Sequence, residues 1–339
     1  LRNRNRWRNY QKRLDSNCKI MKRTNKHSVV MRFLLFSAIS LLTLPTFSQQ
    51  DPIFSQYMFN PFVVNPAYAG SRDAVSTVLL YRAQWVGLNG APTTGSLSIH
   101  APVKATQMAW GVNIMSDQIG PTSTTFLQGT YAYRLRLLGG KLSMALRGGY
   151  FSSVYDKSTL NFDDDTDNKN EGGVIRAGVP NFDFGLYYHT PVFFLGFASS
   201  HLNQPSFKFS DQTSLNGGTN NFEINMQPHL VLSSGFVFNV NDGLKFKPSV
   251  YAKVMQNAPL NVDANLSLLI KKKVWLGLSY SSDGSLAGMI ELNATDFIRI
   301  GYAYDIWMTQ DINRMSTHEI FIGYDFRFSK KTTESPKYL

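Results

Sequence analysis

The stretches FIRIGYAYDIW at 297–307 and EIFIGYDFRF at 319–328 decide the fold class. In the first, Ile298, Ile300, Tyr302, Tyr304 and Ile306 alternate with Arg299, Gly301, Ala303 and Asp305. In the second, Ile320, Ile322, Tyr324, Phe326 and Phe328 alternate with Glu319, Phe321, Gly323, Asp325 and Arg327. A period of two marks a β-strand, whose successive side chains point to opposite faces. One face here is apolar and aromatic; the other carries charges, glycines and small residues. The pattern recurs at 125–137, where Leu127, Tyr131, Leu135 and Leu137 alternate with Gln128, Thr130, Arg134 and Arg136. It recurs again at 244–254, with Leu244, Phe246, Val250 and Val254 against Lys245, Lys247, Ser249 and Lys253.

A soluble sandwich also alternates, burying its apolar face. Strand length and aromatic placement separate the two cases: segments of about ten residues with aromatics near their ends match a membrane barrel's apolar band and girdles. Aromatics at 13% and charged residues at only 17% agree. From residue 74 to residue 328 the pattern predicts about 14 strands, an even number as in bacterial outer-membrane barrels. Tight turns fall at Gly139-Gly140, Thr190-Pro191-Val192, Asn241-Asp242-Gly243, Lys273 and Asp296, and longer connections at 156–181 and 204–227. That rhythm predicts short periplasmic turns, longer outer loops and both chain ends on the periplasmic side. No segment after the leader has 18 continuous apolar residues, so a helical membrane protein is excluded.

The net charge of +11 would suggest an acidic partner, but its distribution removes that reading. Residues 1–32 carry 11 of the 34 Lys and Arg and one of the 23 acids, so the remainder is nearly neutral and nucleic acid is not an expected partner. The apolar run at 33–44 is too short to span a bilayer. With the basic stretch before it and small residues after it, it predicts a Sec signal peptide cut near Ser48 and export to the outer membrane. Residues 1–20 read as sequence upstream of a start at Met21 or Met31. The single cysteine, Cys18, lies in this leader, leaving no disulfide framework and no lipobox cysteine after cleavage. The expected organisation is leader and signal peptide at 1–48, an N-terminal plug-like segment at 49–73, the barrel at 74–328 and a polar tail at 329–339.

The segment at 49–73 reads QQDPIFSQYMFNPFVVNPAYAGSRD. It is rich in aromatics yet interrupted by Pro52, Pro61 and Pro66, and its two Asn-Pro pairs force turns. An apolar segment that can settle neither as helix nor as central strand needs a surface to pack on. It is expected to pack on or inside the barrel, all-β with about 14 antiparallel strands.

Candidate chemistry is sparse. Asp163, Asp165 and Asp167 alternate in a predicted loop and could offer oxygen ligands to Ca²⁺, but Lys169 and Asn170 stand where an EF-hand needs its glycine. The run therefore reads as a solvated acidic loop tip, with Ca²⁺ the weaker alternative. His100, His189, His201, His229 and His318 show no metal-ligand spacing, and no GxSxG nucleophile elbow occurs. No cofactor, metal or catalytic residue is expected, and no enzyme. By parity, Arg134, Arg136, Arg147, Lys245, Lys247, Lys253, Arg299 and Arg327 face the lumen against Asp305 and Asp325. They would either attract an anion or acidic segment, or pair with one another, with Asp51 or Asp73, and with carbonyls of the plug-like segment.

The run from Gln50 carries Asp51, Pro52, Phe54, Ser55, Gln56, Tyr57, Asn60 and Pro61, then Asn65, Pro66, Tyr68 and Gly70. It resembles the N-terminal hallmark of the PorP/SprF family, as do Tyr81-Arg82-Ala83-Gln84-Trp85, the 180–185 approach to a strand, and Ser200-His201-Leu202-Asn203. The acidic loop and polar tail are less typical of it. The resemblance implies an outer-membrane protein of Bacteroidetes in the type IX secretion system. It implies as partners outer-membrane lipid, other secretion components, and a secreted or surface-anchored protein such as a gliding-motility adhesin. It supplies no catalytic residues. The alternative reading is a passive transporter for small or apolar solutes, which would need an apolar pocket beside the plug.

Overall fold

The computed structural model describes residues 52, 54–159, 173–211, 220–256, 258–308 and 316–327. The chain divides into units Leu1–Ser48 and Gln49–Leu339, and every described residue belongs to the second. The expected leader, Asp51, the Asp163, Asp165 and Asp167 run and the C-terminal tail lie outside the described residues.

The described chain is almost all strand: β1 Val75–Ala83, β2 Thr93–Pro102, β3 Met108–Ile119, β4 Thr122–Leu137, β5 Gly140–Asp156, β6 Val174–His189 and β7 Phe193–Ser200. After these come β8 Ser206–Asp211, β9 Asn220–Asn225, β10 His229–Phe236, β11 Phe238–Asn241, β12 Leu244–Met255, β13 Asn261–Ile270 and β14 Val274–Ser281. The last are β15 Ser285–Asn293, β16 Ile298–Trp307 and β17 Ser316–Phe326. Each barrel strand pairs antiparallel with its neighbours, and β1 pairs with both β2 and β17, which closes the sheet. β10 and β11 both pair with β12 and form one strand interrupted at Val237, so the wall has 14 strands. Closure removes the exposed edges that an open sheet would present.

The wall is apolar outside and polar inside. In β16 and β17 the exposed positions are Ile298, Ile300, Tyr302, Tyr304, Ile320, Ile322, Tyr324 and Phe326, while Arg299 and Glu319 are each 1% exposed. Leu146 and Tyr150 on β5 stand 63% and 56% exposed. A soluble sandwich would show the reverse. An apolar exterior around buried charges suits a bilayer, where the closed ladder satisfies every backbone group within the wall.

Two expectations need correction. The long connection expected at 156–181 is shorter, because β6 begins at Val174. β6 pairs with β5 along its whole length and with β7 only over Phe184–His189, so Pro180 sits where no second neighbour requires its missing N–H. The connection expected at 204–227 contains the β8–β9 hairpin, whose Phe207 and Phe209 are buried with Phe151 and Val179 in the main apolar cluster.

Candidate functional site

The segment leading into β1 builds its site from turns. After Phe54 the chain makes hydrogen-bonded turns, then a one-turn helix Pro61–Val64 and a 3-10 turn Pro66–Tyr68. Both have Pro at their first position, where its missing N–H costs nothing. Asn65 caps the second by accepting from the Ala67 N–H at 2.9 Å. Phe54, Phe62, Ala67 and Tyr68 are almost wholly buried, as is Gln56.

The segment's partners lie on inward-facing positions all round the wall. Glu319 of β17 accepts from the backbone N–H groups of Ser55 and Gln56, both at 2.9 Å. Arg82 of β1 donates to Glu319 at 2.9 Å, to Asp305 at 3.2 Å and to the Ser55 hydroxyl at 2.6 Å, and that hydroxyl donates in turn to Asp305. Asn60 donates to Ser98 of β2 at 3.0 Å, and Asn265 of β13 donates to the Tyr57 hydroxyl at 2.6 Å. Arg147 of β5 donates to the carbonyls of Phe62 and Val63, with its guanidinium 5.0 Å from the Phe62 ring centre. Asn65 donates to the carbonyls of Leu186 on β6 and Phe197 on β7. Gly70 donates to His100 at 3.1 Å and accepts from Arg134. The segment is hydrogen-bonded to β1, β2, β4, β5, β6, β7, β13, β16 and β17.

It also runs lengthwise. Ser55 meets residues near the end of β1 and the start of β17, where the longer connections leave. Gly70 meets His100 and Arg134 near the opposite end, where the turns are short. Wall glycines make room for it: a Cβ on Gly111 would overlap the Phe62 ring, and one on Gly185 would lie 2.9 Å from Pro66 Cγ and 3.0 Å from the Ala67 nitrogen. Burial pushes the Tyr57 phenol well above its usual pKa, so the hydroxyl stays protonated.

Two further charge groups lie on the wall. Asp325 accepts from Arg72 at 2.9 Å and Ser76 at 2.7 Å, and Arg299 pairs with Asp325 at 3.4 Å and Glu291 at 3.5 Å. Asp183 accepts from Gln128, Asn181 and the His201 N–H. Buried charges held this way are stable only while each has its partners.

The sequence matches the family described as "Type IX secretion system membrane protein PorP/SprF" over residues 46–324. The chain belongs to the PorP/SprF family. No curated protein sequence matches it. Solved structures that it resembles include the Ralstonia pickettii toluene transporter TbuX, at 13% identity and TM-score 0.50, over 79% of this chain and 93% of that one. They also include the CymD monoaromatic hydrocarbon channel, at 14% identity and TM-score 0.48, over 81% and 93%. A third is a Pseudomonas aeruginosa FadL homologue, at 11% identity and TM-score 0.42, over 75% and 89%. At these identities the likeness concerns the barrel fold alone. Family and fold together make the chain an outer-membrane β-barrel of a secretion-system family that is not an enzyme family.

Within this PorP/SprF barrel the hallmark residues Ser55, Gln56, Tyr57, Asn60, Asn65 and Gly70 make the contacts just described, Phe54 and Tyr68 are buried, and Pro61 and Pro66 start the two helical turns. Pro52 is half-buried beside a cavity of about 80 Å³ that Phe54, Val63 and Val64 line together with wall residues. Of the basic positions, Arg147, Lys247, Lys253 and Arg299 are buried, Arg134 and Lys245 half-buried, and Arg136 and Arg327 exposed. Sequence reasoning missed Arg72, Arg82, Asp183 and Glu291 as members of the interior network. Arg82 and Glu319 carried a usable signal, since both stand at inward-parity positions of their strands.

Proposed function

We propose that this PorP/SprF barrel assists the export or surface anchoring of one dedicated protein, and that its N-terminal segment closes the lumen until that partner engages. The observation that carries the reading is the use of the family hallmark: its residues make hydrogen bonds between the segment and inward-facing wall residues. A segment fixed by reversible hydrogen bonds to the wall can be exchanged for another polypeptide without unfolding the barrel. The partner docks from the side of the longer connections, where the β8–β9 hairpin adds Phe207 and Phe209 to the apolar cluster. An adhesin of gliding motility is a partner of the expected kind. A passive solute route fits less well, because the cavity beside the segment mixes Phe126, Phe151 and Val231 with Arg147, Asp183, His201 and Lys253.

Quantitative mass spectrometry of surface and medium proteins, in a clean deletion strain against its parent, tests the export reading. Loss of one or a few large exported proteins with unchanged outer-membrane content is expected. An unchanged exported proteome overturns it and turns attention to solute uptake. Deleting residues 50–70 should raise ion conductance in planar bilayers; unaltered conductance would refute closure by this segment.

A further inference from the structure

The barrel mouth at the short-turn end is basic on its inner rim. At inward-parity positions stand Arg134 and Arg136 at the end of β4, Lys141 at the start of β5, Lys245 at the start of β12, and Arg327 just past β17. Lys271 and Lys273 continue the inward parity of Leu269 and Trp275 through the β13–β14 turn. Arg136, Lys271, Lys272, Lys273 and Arg327 are exposed, as is Lys104 in the β2–β3 turn. The acids at this end are Asp73, ahead of β1, which attracts Arg134, the exposed Asp242 and Asp296, and the buried Asp325 and Glu291, which pair with Arg72 and Arg299.

Two details go beyond a solvated charge run. Arg136 lies directly opposite Lys141 in the register, so two like-charged side chains face each other across β4 and β5. Like charges placed opposite each other disfavour a ladder. Across the mouth, Lys271 and Lys272 occupy the two central positions of a tight turn at φ 49° and 58°, closed by the Lys273 N–H donating to the Ile270 carbonyl at 2.9 Å. Those positions favour Asn-Gly, so here lysine stands against backbone preference.

We infer that this rim is a docking surface for an acidic polypeptide segment of a periplasmic protein. Short turns and both ends of the barrel chain assign the mouth to the periplasm. Apart from the turn residues Lys104 and Lys272, the bases share the parity of the lumen lining rather than of the lipid-facing residues, so they face the axis and not the surrounding headgroups. Above them the interior is occupied: Tyr68 packs on Tyr187 at 5.3 Å and Tyr187 on His189 at 5.7 Å, while Lys247 lies 5.4 Å from the Phe194 ring centre and 5.7 Å from that of Trp275. A basic vestibule with a filled floor holds an acidic chain rather than conducting a small anion. Charge complementarity of this kind sets association rate and specificity.

The test uses the purified full-length barrel in nanodiscs of zwitterionic lipid, titrated with a fluorescent glutamate-rich peptide. Binding is expected to weaken roughly ten-fold or more between about 0.05 and 0.3 M salt. It should weaken comparably in the variants K271E/K272E/K273E and R136E/K141E, each first checked for folding by heat-shifted gel mobility. Arg176→Glu, at the other end of the barrel, should leave it unchanged, and a lysine-rich peptide should not bind. Absence of binding, or equal loss in Arg176→Glu, overturns the inference. So does displacement by inorganic phosphate alone or by phosphatidylglycerol added to the nanodisc, which would assign the rim to small anions or to headgroups. Because the assay contains no secretion partner, its result is independent of the export reading.

Discussion

Glu319→Gln isolates the attachment of the segment from the stability of the barrel. Glu319 is 1% exposed and accepts two backbone N–H groups, from Ser55 and Gln56, together with the Arg82 guanidinium, all at 2.9 Å. The amide side chain keeps one acceptor oxygen, loses the charge and points a donor at one of the N–H groups. Hydrogen bonds to a charged group contribute about 1.5–3 kcal/mol each, so losing one and weakening another costs about 3 kcal/mol. Arg82 is not orphaned, since it retains Asp305 at 3.2 Å and the Ser55 hydroxyl at 2.6 Å. The cost therefore falls on the segment. At about 1.4 kcal/mol per decade, the Ser55 and Gln56 amides should exchange roughly 100-fold faster when local opening is at equilibrium. Hydrogen-exchange mass spectrometry of the barrel in nanodiscs reads this from peptides covering 54–60, with strand peptides from β13 to β15 as the internal control. A change below about three-fold would refute the assigned role of Glu319. An equal acceleration in the strands would show that the residue holds the wall instead.

Gly185→Ala places a methyl group against Pro66 and Ala67, and overpacking of this kind costs about 1–3 kcal/mol. Faster exchange around residues 62–70 with an unchanged barrel is expected, and an unaltered segment would deny the close approach. Tyr57→Phe removes the acceptor of the 2.6 Å bond from Asn265 and should cost about 1–2 kcal/mol, read as a lower thermal midpoint of the heat-modified gel shift. Arg147→Met withdraws the donor from the Phe62 and Val63 carbonyls and leaves Asp183 without its cation 4.0 Å away. Breaking such a buried group costs about 3–5 kcal/mol, so conductance in planar bilayers should rise if the segment closes the lumen.

The alternation in sequence determined the number of wall strands and which residues face in or out, because side-chain period is a local property of the backbone. The family hallmark was legible as an apolar, proline-broken run, and the resemblance read from it is the family the chain belongs to. Local reading failed where the neighbour decides the outcome. Pro180 extends β6 because β7 does not pair there, and the β8–β9 hairpin forms because Phe207 and Phe209 find the apolar cluster beside β5 and β6. Pairing of charges was decided only by the tertiary structure. Parity could put Arg82, Asp305 and Glu319 on the inner face, but only closure of β1 on β17 brings Arg82 opposite Glu319 and sets both beside Ser55. Ser55 and Glu319 lie 264 residues apart, and hydrogen bonding acts over a few ångströms of space whatever the distance along the chain.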